Sequence, residues 1–183
     1  MTAATRRADL RLTAAIGAAI LCAAIAIAAL VHLLAAAPAR DFLGFAFPGV
    51  PARLDGAVAI FAHNARITGA AIGFALVNQG PWLIEPDAPA RRRRVTTLCD
   101  VVVAGVAAQS LVVSAAALGA YGDRMVAAIM PHGPLELVAF SLALCLYVQS
   151  RRARLAPARA LTLVAASLTV LAVAAVVETF LGF

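Results

Sequence analysis

Between Leu12 and Ala37 the chain runs for 26 residues without an Asp, Glu, Lys or Arg. A helix rises about 1.5 Å per residue, so this run is long enough to cross the roughly 30 Å hydrocarbon core of a bilayer. In lipid a helix also satisfies every backbone hydrogen bond within the segment. Four more apolar stretches follow, at 57–77, 95–119, 133–148 and 160–180. The pattern predicts an all-α fold: a polytopic membrane bundle of five transmembrane helices, forming one transmembrane domain over residues 1–183. The basic start and the Ala35-Ala36-Ala37 end imitate a signal peptide. A signal core spans about 7–15 residues, so the longer run is read as a retained first span. Arg6-Arg7 is a weak match to a twin-arginine signal, because Asp9 falls where an apolar residue is wanted.

Composition excludes other classes. The chain is 63% hydrophobic and 13% charged, with a mean hydropathy of +0.94. Soluble domains have about 45–50% apolar and about 25% charged residues. No stretch is left to build a soluble catalytic domain, and no nucleotide-binding loop or nucleophile constellation is present. All 15 basic residues are Arg, and they sit in short clusters between apolar runs. That placement points to a lipid bilayer and not to nucleic acid. Cys22, Cys99 and Cys145 lie inside apolar runs without metal-type spacing, where a free thiol acts as a small hydrophobe.

The arginines also predict orientation. With residues 1–11 cytoplasmic, that side receives Arg6, Arg7, Arg11, Arg91, Arg92, Arg93, Arg94, Arg151, Arg152, Arg154 and Arg159. The other side receives Arg40, Arg53 and Arg124, a ratio of eleven to three. This predicts a cytoplasmic N-terminus and an outside C-terminus in a bacterial cytoplasmic membrane. The same reading makes Arg91 to Arg94, Arg151, Arg152 and Arg154 topology determinants, with anionic-lipid binding as the alternative role. Residues 38–56 carry three prolines with Phe42, Phe45 and Phe47, and read as an interfacial segment. Trp82 reads as an interface anchor, and His32 as an interfacial or satisfied imidazole. Asp100 suits the first-turn amides of the third span, with a transport role as the alternative. Gly69 and Gly73 form a GxxxG pair that permits close helix approach.

Polar residues inside the apolar runs are the candidate site. His63, Asn64 and Arg66 lie about 9–14 Å below Ala57 in the second span. His132 and Glu136 belong to Pro131-His132-Gly133-Pro134-Leu135-Glu136 at the mouth of the fourth span, and Glu178 stands at the end of the fifth. The alternating topology puts all of them, with Gly133, towards the outer side. Charges in lipid pair with one another or line a cavity. Spans two, four and five are therefore expected to be neighbours, with Arg66 facing Glu136 or Glu178. Gly133 as N-cap and Pro134 at N1 would put Glu136 at N3, where a carboxylate suits the free amides. His63, His132, Glu136 and Glu178 are zinc-ligating residue types, but no HExxH or comparable spacing occurs, so the sequence assigns no metal and no cofactor.

Three pieces together resemble the stage II sporulation protein M family. Phe61-Ala62-His63-Asn64-Ala65-Arg66, leading into Gly69 and Gly73, resembles its NN-x-R … G segment, with His63 where the family often has a second Asn. PHGPLE resembles its PHG-x-x-E signature, and Ala174–Phe180 with Glu178 resembles its A-x-x-E ending. The resemblance covers about residues 10–183. It implies an integral membrane protein without known catalytic activity, working in complexes with other proteins, and it carries over Asn64, Arg66, His132, Gly133, Glu136 and Glu178. The expected function is a membrane scaffold or assembly subunit with membrane-protein partners or further copies of itself, and not an enzyme. The rival is a permease-like subunit that moves a small solute or lipid with a separate energising subunit.

Overall fold

The computed structural model describes residues 3–45, 47, 52–80 and 89–181, with backbone alone for residues 3 and 89–92. Among these residues there are seven helices and no strand: α1 Ala3–Leu34, α2 Ala36–Leu43, α3 Leu54–Asn78, α4 Pro89–Tyr121, α5 Asp123–Ile129, α6 Gly133–Arg152 and α7 Pro157–Leu181. Five of them, α1, α3, α4, α6 and α7, are long and apolar enough to cross a membrane. The protein is an all-α membrane helix bundle, as the apolar runs predict.

The boundaries shift outward from the hydropathy reading. Helix α1 takes in Arg6, Arg7 and Arg11, and α4 takes in Arg91 to Arg94. Arginine is a good helix former, so a charged flank continues a helix that an apolar run begins. Helix α6 continues past Val148 to Arg152 and reaches 20 residues, a full crossing.

Helix α6 is the central element and packs on α7, α3 and α1. Ala139, Ala143 and Cys145 along it have no exposed surface. Small side chains let the helices approach closely where apolar area alone drives no association. Gly17 of α1 faces Ser141, whose Oγ would lie 3.1 Å from an added Cβ. Ser167 of α7 donates to the Ala139 carbonyl at 2.8 Å. Helix α4 meets α1 at Gly119, where an added Cβ would run into the Ala28 carbonyl and come within 2.9 Å of Val31 Cβ. His32 lies here too, with Nδ1 3.2 Å from the Gly119 carbonyl.

Helices α3 and α6 run parallel with a constant register. Asn64 bonds Glu136 and Asn78 bonds Ser150, each pair 72 residues apart. Between these two pairs Ala71, Ile72, Ala75, Ala143, Leu146 and Tyr147 share one buried cluster with Cys99, Val103 and Leu163. Gln79 closes the end of α3: its side-chain amide donates to the Ser150 and Ala153 carbonyls and its Oε1 accepts from Leu155 N at 2.9 Å.

The segment after α1 turns along the bundle end. Helix α2 stops at Gly44 in the left-handed region (φ 59), with its N–H bonded to the Arg40 carbonyl. Tyr121 donates its hydroxyl to the Arg40 carbonyl at 3.1 Å and accepts from Phe45 N at 3.0 Å. Phe45, Phe47 and Tyr121 stack edge to face beside Arg124, which sits over the Phe47 ring.

A polar site where three spans meet

The sequence places His132, Glu136 and Glu178 on two different spans, and the fold brings them together. His132 precedes α6 as its N-cap, Glu136 follows one turn later on the same face, and Glu178 lies near the end of α7. One donor atom from each of the three lies within 4.8 Å of the others. His132 Nε2 stands 3.8 Å from Glu178 Oε2. From α3, Asn64 Nδ2 donates to Glu136 Oε1. Spans two, four and five are thus mutual neighbours, as expected.

The partners differ from those expected. Arg66 is exposed on α3, and among the described residues it forms no ion pair with Glu136 or Glu178. The reason is helical phase. Asn64, Thr68, Ala71 and Ala75 form the inward stripe, while His63 and Arg66 lie on the outward side with Gly69 and Gly73. An amide, not a guanidinium, holds Glu136. His63 stays outside the cluster, and among the described residues nothing packs on the GxxxG pair: a Cβ at either glycine would meet no atom within 4 Å.

The cap is also shifted by one residue. His132 is the N-cap, so Gly133 is N1, Pro134 is N2 and Glu136 falls beyond N3. The Glu136 amide already bonds the His132 carbonyl at 3.1 Å. Its carboxylate is therefore not a cap and is turned into the site. Gly133 is needed for close packing and not for an unusual backbone, because a Cβ there would collide with Ile129 Cγ2.

A second and a third charged site lie near the opposite end of α6. Asp100 does not cap the start of α4, which begins three turns earlier at Pro89. It accepts two bonds from Arg151, at 2.9 and 2.8 Å, and one from the Tyr147 hydroxyl at 2.6 Å. Asp9 is buried and holds Arg159 in an ion pair, with Gln149 Nε2 donating to it at 2.5 Å. So Arg151 and Arg159 pair with buried or half-buried carboxylates as well as forming cationic flanks; Arg151, Arg93, Arg94, Arg152 and Arg154 are exposed and Arg159 is partly buried. Sequence reasoning missed Asp9, Gln149, Gln79 and Tyr147 as structural residues. The available signal was an acid seven residues into a helix whose apolar run starts just beyond it. Trp82 lies outside the described residues, as do the side chains of Arg91 and Arg92.

The chain finds no match among family profiles, characterised proteins or solved structures.

Proposed function

We propose that this chain is a membrane scaffold or assembly subunit, and that the outward face of α3 is where it meets another membrane protein. In this reading the N-terminus is cytoplasmic and the membrane is the bacterial cytoplasmic membrane. The observation that carries the reading is the placing of Arg66 with Gly69 and Gly73 on one face that is exposed among the described residues. By the α3–α6 register, Arg66 stands level with Val138, five residues below the start of α6, or about 8 Å. A charged group at such depth draws a counter-charge, and bare glycines let a helix backbone come close. Packed as a parallel two-fold dimer, this face would set Arg66 against Arg66. The occupant is therefore a helix of a different protein, with a carboxylate at the depth of Arg66. The resemblance to a family that works in complexes points the same way.

A photoreactive residue at Gly69 tests this in native membranes, with one at the exposed Ile25 of α1 as control. A discrete adduct from position 69, absent at 25 and lost in Arg66→Gln, is the expected result. It should return when an arginine–carboxylate swap is made across the contact. An adduct indifferent to Arg66→Gln, equal labelling at both positions, or only a dimer of this chain would overturn it. Solute flux through the purified protein with an energising subunit would instead favour the permease reading.

A further inference from the structure

The uncovered α3 face leaves the His132–Glu136–Glu178 group unused, and that group has its own chemistry. We infer that His132, Glu136 and Glu178 form a binding site for one divalent transition-metal ion, Zn²⁺ by ligand type.

Charge balance is the first argument. Two carboxylates and one imidazole converge within 4.8 Å in a half-buried position. Among the described residues the direct polar partner of this pair of carboxylates, apart from His132, is the neutral amide of Asn64. Arg66 lies on the other side of α3. Two like charges at this separation in a low-dielectric site call for a cation between them.

The imidazole supplies an independent argument. His132 is buried, with 11% of its side chain exposed. Among the described residues its Nδ1 has no hydrogen-bond partner. Its Nε2 is aimed at Glu178 Oε2 across 3.8 Å, too far for a hydrogen bond. A buried polar ring left without a hydrogen bond is costly. A metal with bonds of about 2.0–2.1 Å holds tetrahedral N and O donors about 3.3 Å apart, slightly closer than the gap seen here. Seating the ion would draw His132 and Glu178 together by about half an ångström and bring in the Glu136 oxygen, which lies within 4.8 Å of both; the ion would give Nε2 a ligand, while Nδ1 faces away from it.

The chemistry of the donors selects the metal. Imidazole suits Zn²⁺ and its neighbours, whereas Mg²⁺ and Ca²⁺ prefer all-oxygen sites. One nitrogen and two oxygens from the protein leave a fourth position open to water or to a donor from a partner. Asn64 acts behind the ligands: its amide fixes one oxygen of Glu136 and so orients the carboxylate. The spacing explains why no sequence pattern shows the site. His132 and Glu136 are four residues apart, but the third ligand comes from α7, more than 40 residues later.

The test uses the full-length protein in detergent, stripped with a chelator and then dialysed against Zn²⁺, with Mg²⁺ and Ca²⁺ as comparison ions. About one zinc retained per chain, and ligand-field absorption from Co²⁺ in its place, are the expected results. Glu178→Gln and His132→Gln should each weaken zinc binding by tenfold or more, and Asn64→Ala by about tenfold. The wild-type Co²⁺ spectrum needs no variant, so a variant that fails to fold does not block the test. Glu178→Asp keeps a carboxylate and should retain part of the affinity. No zinc retained above the chelated control, equal retention by Glu178→Gln, or equal binding of Mg²⁺ would overturn the proposal.

Discussion

Asp9, near the start of the first helix, and Arg159, near the start of the last, close on each other as an ion pair across 150 residues of chain. The Asp9 side chain is 7% exposed and that of Arg159 23%. The pair joins α1 to α7, with Gln149 of α6 bonded to both.

Removing one member of a buried pair strands the other charge and typically costs about 3–5 kcal/mol. Asp9→Asn should therefore lower thermal stability in detergent strongly. The double variant Asp9→Asn, Arg159→Gln should recover part of the loss. Asp100 and Arg151 make better geometry but are 45% and 33% exposed. Asp100→Asn should cost about 1 kcal/mol or less. Equal losses from Asp9→Asn and Asp100→Asn would contradict the burial argument, and strictly additive losses in the first cycle would rule out the pairing.

Two glycines separate soft from hard contacts. At Gly133 the obstacle to a Cβ is the Ile129 side chain, and at Gly119 it is the Ala28 backbone. Gly133→Ala should destabilise by about 1–3 kcal/mol, as overpacking does, and Ile129→Ala should suppress the effect. Gly119→Ala should cost more, because α1 itself must move. The check is membrane accumulation and melting temperature of the two single variants and the Gly133→Ala, Ile129→Ala double. A Gly133→Ala variant that Ile129→Ala does not rescue would assign the strain elsewhere.

Asn64 and Arg66 differ by two residues and should behave oppositely. Asn64→Leu removes a hydrogen bond to a carboxylate, worth about 1.5–3 kcal/mol, and should lower the melting temperature. Arg66→Gln should leave the melting temperature of the isolated protein within experimental scatter, since its side chain is exposed and forms no bond among the described residues. A large loss from Arg66→Gln would restore the pairing with Glu136 or Glu178 that the helix phase excludes.

The arginine asymmetry predicts labelling in intact cells by an impermeant thiol reagent, in a background without Cys22, Cys99 and Cys145. A cysteine at Asp123 should react, and one at Arg152 should not. Reaction at 152 without reaction at 123 would invert the orientation.

Apolar run length was enough to read five crossings, because backbone satisfaction in lipid leaves a 26-residue uncharged segment few choices. The neighbourhood of spans two, four and five was legible too, since polar residues in lipid must find one another. Which residue met which was not. His63, Asn64 and Arg66 are all polar and nearly adjacent, but successive helical residues point about 100° apart, and packing against α6 selects Asn64 alone. In an Ala-rich helix apolar on every side, the sequence carries little phase information. Asp9 was equally hidden: only the docking of α1 beside the ends of α6 and α7 turns an acid in a basic leader into a buried anchor. The chain alone determined how many helices cross. The tertiary structure decided which face of each turns inward, because helix phase in lipid is set by packing and by paired polar groups, and neither is local in sequence.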